Sequence, residues 1–142
     1  MKLFIVDANM AVKWFIQEKH SDSAALLLED DCVLEAPDLL RAEFGNTLWK
    51  KVRRGEITAG EAEQVLKAFF RVPIKFHWAD ALSASALEIA VKTRCSVYDS
   101  LYLSLAIRRE TKIATADRKF FNNLRGGPFE EFVIWCEDLS FE

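Results

Sequence analysis

The sequence predicts an α/β fold built on a parallel sheet. Short apolar runs alternate with longer amphipathic ones along the chain, as in successive βα units. The opening run, "KLFIVDANM", halts at Asp7, and a later one, "KIATAD", halts at Asp117. In open α/β sheets the carboxyl edge is where ligands bind, and a carboxylate that ends a strand is presented there. No internal repeat, low-complexity stretch or linker divides the 142 residues, so residues 1–142 read as a single domain.

The elements follow in order. A strand runs over Leu3 to Val6, then helices over Ala8 to Gln17 and Ser21 to Asp30. "CVLEAP" is a short strand. "DLLRAEFGNTLWKKVRRG" is a long helix stopped by Gly55. In "TAGEAEQVLKAFF", Thr58 is an N-cap with Glu61 three residues on, the spacing of a capping box. "PIKFH" is a strand, and "DALSASALEIAVK" and "SVYDSLYLSLAIRRE" are helices. "KIATAD" is a buried strand and "FVIWCE" the last one. Trp14, Trp49, Trp78 and Trp135 are assigned to the core, and His20 and His77 to the surface or loops.

Composition narrows the function. At 51% hydrophobic and 29% charged residues, the chain is ordinary globular material. No apolar stretch is long enough for a membrane span, and the run after Lys2 is too short for a signal peptide. The expectation is a cytoplasmic protein with no membrane association. Cys32, Cys95 and Cys136 are odd in number and widely spaced, which disfavours a disulfide framework or a zinc knuckle. A net charge of −3 argues against a general nucleic-acid coat, though not against an acidic site with a local basic rim.

Four carboxylates stand out. Asp7 and Asp117 end strands, where each also suits a helix N-cap. Asp99 lies three residues after Ser96, at the start of a nearly all-apolar helix, where it suits either capping or function. Glu43 lies at the edge of the apolar stripe Leu40, Phe44, Leu48 and Val52, where it needs a partner or a route to solvent. Lys50 is one candidate partner; Arg41, two residues away, cannot face it on a helix. Thr115 and Asn9 each stand two residues from a strand-end Asp and can bond a carboxylate. With a parallel sheet, all four carboxylates can converge on its carboxyl edge. Two such charges ~4 Å apart cost about 4 kcal/mol at an effective dielectric of ~20. A raised pKa or a bound cation offsets that cost, and an oxygen-only donor set suits Mg²⁺ or Mn²⁺.

The stretches "FIVDAN", "PDLLRAEFGNTLWK", "SVYDSLYLSLAI" and "IATADRKF" together resemble the PIN-domain ribonucleases, most closely the VapC-like toxins of toxin–antitoxin pairs. The likeness spans nearly the whole chain, in order. It implies a three-layer α/β/α sandwich with a central parallel sheet. It places the family's acidic quartet on Asp7, Glu43, Asp99 and Asp117, and the Thr of its T-x-D signature on Thr115. It implies Mg²⁺- or Mn²⁺-dependent endoribonuclease cleavage of RNA, a homodimer, and a cognate antitoxin that covers the site. Asp7 and Asp99 are then the foremost ligands, with Glu43 and Asp117 completing the set. Arg118 and Lys119, directly after Asp117, are candidate substrate contacts. Lys50, Lys51, Arg53 and Arg54 read as a solvated helix tail, since cations suit a helix C-terminus. The rival reading is a PIN fold acting as an RNA-binding or regulatory subunit without catalysis. A haloacid-dehalogenase-type phosphatase needs a second acid where Asn9 stands. A response-regulator receiver needs an Asp–Lys pair that the strand ends lack.

Overall fold

A computed structural model describes residues 1–140; the last two positions of the 1–142 domain assignment lie outside them. Five strands form one sheet: β1 (Lys2–Val6), β2 (Cys32–Pro37), β3 (Ile74–His77), β4 (Lys112–Thr115) and β5 (Val133–Trp135). Their order is β3-β2-β1-β4-β5 and every pairing is parallel. Seven helices surround them: α1 (Ala8–Val12), α2 (Ser21–Ala25), α3 (Leu39–Arg53), α4 (Ala59–Phe69), α5 (Ala79–Lys92), α6 (Val97–Arg108) and α7 (Arg118–Leu124). The result is the expected α/β/α sandwich.

The strand order sets the site. β1 is central and lies between β2 and β4, so the turns leaving β1 and β4 are neighbours. The direction in which strands are added reverses at β1, and a crevice opens at such a point in doubly wound sheets. Helix α6 packs across β1, β2 and β4, with α5 outside it. Residues Ser100 to Ala106 of α6 are buried all round, as its nearly all-apolar sequence predicts. Buried Glu35 of β2 ties the far end of α6 to the sheet. It accepts from Arg109 Nε and Nη2 at 2.9 and 3.1 Å, and meets His77 Nε2 at 2.5 Å.

On the other side, α1 packs against α3. Phe44 of α3 is wholly buried and stacks on Phe69 of α4, with centroids 3.9 Å apart. The capping box at α4 forms as predicted: Thr58 Oγ1 accepts from the Glu61 N–H, and Glu61 Oε1 from the Thr58 N–H. Gly55 adopts φ 75° beyond α3, where a side chain would strain the backbone.

Some expectations fail for identifiable reasons. The helix expected over Ala8 to Gln17 ends at Val12. The chain turns there, and Trp14 donates its indole N–H to the Ala24 carbonyl at 2.8 Å while Phe15 packs edge-on against Phe44. The next helix is α2 alone, followed by a 3₁₀ turn over Leu26–Leu28. The last strand keeps only Val133–Trp135. Trp49 and Trp78 are 53% and 76% exposed, so they are not core residues. His77 ends β3, as the strand read over "PIKFH" implies, and it meets buried Glu35 instead of standing free at the surface.

Because Phe44 anchors the helix that carries Glu43, Phe44→Ala is expected to cost about 3–5 kcal/mol. A fall in the urea midpoint with an unchanged slope checks this.

Candidate active site

The four carboxylates meet. Asp7, Glu43, Asp99 and Asp117 all line one cavity of ≈ 120 Å³, together with Asn9, Tyr102 and Phe120. Its position is the carboxyl edge of the sheet, at the turns that leave β1 and β4.

Each carboxylate is placed by local structure. Asp7 is the N-cap of α1, and its Oδ1 accepts from the Met10 N–H at 2.9 Å. Its Oδ2 accepts from the Thr115 hydroxyl at 3.3 Å. Thr115 Oγ1 in turn accepts from the Asp117 N–H at 3.0 Å, so this one buried hydroxyl links both strand ends. Asp117 caps α7 by accepting from the Phe120 N–H at 3.1 Å. Ser96 caps α6 by accepting from the Asp99 N–H, which fixes Asp99 in the first turn. The capping roles read from the sequence therefore coexist with a shared cavity.

Glu43 has a partner that sequence reasoning missed. Tyr102, 3% exposed, donates its hydroxyl to Glu43 Oε1 at 2.6 Å. A signal for it exists: Tyr102 lies three residues after Asp99, so both side chains share one side of α6. Lys50 is not Glu43's partner, and Arg41 instead lies over the Phe76 ring.

Of the supporting residues, Asn9 lines the cavity and its Oδ1 accepts from Lys13 Nζ at 3.0 Å. The two basic residues after Asp117 diverge. Lys119 is exposed, and its charge favours ionised Asp99. Arg118 lies over the Trp135 ring at 3.7 Å, so its guanidinium is already engaged.

The electrostatics bear the mark of burial first and of neighbouring charge second. Loss of hydration is the main cause of the Asp7 shift and pushes its carboxyl up to about 7. The Met10 N–H opposes this, the charges of Asp117 and Glu43 add to it, and the Thr115 hydroxyl lowers it. Burial likewise raises Glu43, with the Tyr102 hydroxyl opposing and Asp99 adding. Asp99 is raised by burial first and by the Asp117 charge second.

The donor set suits a hard divalent cation: four carboxylates, with neither His nor Cys in the cavity lining. As they stand, no three acidic, His or Cys side chains among the described residues are close enough to share one ion.

A parallel sheet with four carboxylates lining one cavity at its carboxyl edge defines an α/β protein with an acidic site. The PIN domain model matches residues 4–126, and the chain belongs to the PIN-domain family. It is 33% identical over 122 residues to Ribonuclease VapC3 of Pyrobaculum aerophilum, spanning 84% of this chain and 92% of that one. PAE2754 from Pyrobaculum aerophilum superposes with TM-score 0.67 at 22% identity, over 96% of this chain and 85% of that one. VapC20 of Mycobacterium tuberculosis, a toxin that cleaves the sarcin–ricin loop, superposes with TM-score 0.61 at 14% identity. That match covers 82% of this chain and 92% of VapC20.

The raised Asp7 pKa has a consequence for stability. The folded carboxyl holds its proton to about pH 7, whereas the unfolded one releases it near pH 4. Asp7 thus contributes most below about pH 4, and that contribution is lost as pH rises through 7. In metal-free protein, Asp7→Asn keeps the cap and removes the charge. It is expected to be neutral at about pH 3.5 and stabilising by on the order of 2 kcal/mol at about pH 8. Urea unfolding across that range in EDTA measures the difference.

Proposed function

We propose that the chain is an Mg²⁺- or Mn²⁺-dependent endoribonuclease and the toxin of a toxin–antitoxin pair. The observation that carries this reading is the single cavity lined by Asp7, Glu43, Asp99 and Asp117. Membership of the PIN family and the likeness to Ribonuclease VapC3 support the reaction class.

Asp7 and Asp99 would be the foremost ligands, with Glu43 and Asp117 completing the oxygen set. When bound, the cation supplies activation of water and neutralisation of charge on the scissile phosphate. The protein's own groups prepare the site. Thr115 fixes the Asp7 carboxyl and the start of α7 together. Tyr102 holds Glu43 with its proton directed at Oε1, and burial and the Glu43 charge keep that phenol protonated. Lys119, exposed and close enough to influence Asp99, offers a cation to an approaching phosphate, whereas the Arg118 guanidinium lies over the Trp135 ring. The partners follow from the same reading: an RNA substrate, a second copy of the chain, and an antitoxin. The setting would be the cytoplasm; no helix among the described residues is long and apolar enough to cross a membrane.

The test is incubation of the protein, freed of any co-purified partner, with total RNA and Mg²⁺ or Mn²⁺. Discrete fragments are expected, and they should vanish with EDTA and in Asp99→Asn. Intact RNA, from protein that binds Mn²⁺, would favour the non-catalytic alternative. Saturating metal should also raise the melting temperature, since a hundredfold excess over Kd contributes about 2.7 kcal/mol.

Tyr102→Phe leaves the four carboxylates in place and removes one proton donor. Loss of such an outer partner is expected to reduce metal affinity or cleavage by about 10- to 100-fold. Mn²⁺ titration alongside cleavage rates separates the two effects.

A further inference from the structure

We infer that the carboxyl-terminal turn of α3 is a second contact site for the substrate strand. It would grip phosphates with Lys50, Arg53 and Arg54 and stack a base on Trp49. The inference rests on the nuclease reading above and deepens it.

The three cations line a common depression of ≈ 360 Å³. All are exposed, and among the described residues none has an ion pair. Their neighbour Lys51 behaves differently. It is largely buried and bonded to Glu18 at 2.8 Å, with Glu56 at 3.7 Å. The acids of this region are therefore spent on Lys51, and the other three charges face solvent uncompensated.

Helix capping does not account for them. The last carbonyls of α3 are satisfied by backbone: the Gly55 N–H donates to the Val52 carbonyl at 3.0 Å, and the Glu56 N–H to that of Lys51 at 2.9 Å. This is a Schellman turn, and it leaves the side chains without a capping duty. Their attraction to the helix dipole is worth at most about 1 kcal/mol each at an exposed site.

Trp49 is the second feature. Its ring is 53% exposed, and the Arg53 guanidinium lies 5.2 Å from its centroid. A cation on one side leaves the rest of an exposed indole available, and base stacking on such rings tolerates any sequence. A cluster of phosphate-binding cations beside a stacking platform is the recurring composition of single-strand sites.

The placement matches the acidic cavity. Lys50 follows Glu43 by seven residues, two turns of α3, so it lies on the same side of the helix about 10 Å further along. A strand with its scissile phosphate at the cavity would reach Lys50 within a few nucleotides. Charge complementarity selects a polyanion as the occupant.

The experiment uses a fluorescein-labelled single-stranded RNA of mixed sequence, about 12 nucleotides long, bound in EDTA so that it stays intact. The Lys50→Gln/Arg53→Gln/Arg54→Gln variant is expected to bind at least tenfold more weakly. Its slope of log affinity against log salt should be shallower by about 2, near 0.7 for each phosphate no longer neutralised. Trp49→Ala should bind about tenfold more weakly with an unchanged slope. With metal restored, both variants should raise KM for this RNA and leave kcat unaltered, because the grip is remote from the chemistry. Unchanged affinity and slope in the triple variant, from wild-type protein that binds and cuts the RNA, would overturn this inference alone. Loss of binding to a protein partner with RNA binding intact would overturn it as well. A wild-type protein that neither binds nor cuts RNA would overturn the nuclease reading with it.

Discussion

Carboxylates buried around one small cavity raise the free energy of the fold, and four of them line a cavity of ≈ 120 Å³ here. The surrounding structure answers that cost at each position. Asp7 keeps its proton up to about pH 7. Glu43 is met by a buried phenol. Asp99 stands within the influence of Lys119. Three of the four also sit at helix starts, as the N-caps of α1 and α7 and in the first turn of α6. Helix N-termini carry partial positive charge, so three helices direct their favourable ends at the cavity.

That arrangement explains why the parallel topology matters. In a parallel sheet every strand delivers its following segment to the same edge. β1 and β4 are adjacent, so Asp7 and Asp117 arrive together without any long loop. Thr115 then acts on both, by donating to one carboxyl and accepting from the backbone of the other. Each capping Asp spends Oδ1 on its helix, and the cap does not need the second oxygen, which in Asp7 accepts from the Thr115 hydroxyl. A cap and a ligand are not alternatives at these positions, because a carboxylate has two oxygens.

Most of this is legible in the sequence, for local reasons. Strand ends marked by Asp, the Thr58–Glu61 box and the Gly55 stop are short-range signals, and all appear. The nearly all-apolar run of α6 announces a buried helix. What stays hidden is tertiary. Residues Lys13 to Gln17 read as helix, yet Trp14 and Phe15 find better partners in Ala24 and Phe44. Trp49 and Trp78 read as core because tryptophan is mostly buried on average, yet both are exposed, and Trp49 stands one residue off the stripe of Leu40, Phe44, Leu48 and Val52. Tyr102 resembles one more apolar position of α6, and its hydroxyl acquires meaning only when Glu43, 59 residues away, packs against it. Glu35 gives no signal either; Arg109 and His77 reach it from distant segments.

An acidic centre must still attract an acidic substrate, and the distribution of charge along α3 bears on how. The net charge is −3, so long-range steering does not favour a polyanion. Several cations near the cavity are already committed: Lys13 and Lys51 share Glu18, and Arg118 lies on Trp135. The uncommitted ones lie beyond Glu43 on the same helix, and Lys119 lies beside Asp99. On the nuclease reading this separation has a purpose. Binding energy gathered away from the reacting phosphate would hold the substrate strand and lower KM without adding charge to the acidic centre. Cations placed among the acids would instead neutralise the ligands and compete with the metal. A separation of about two helical turns would let one helix carry both grip and chemistry without either weakening the other.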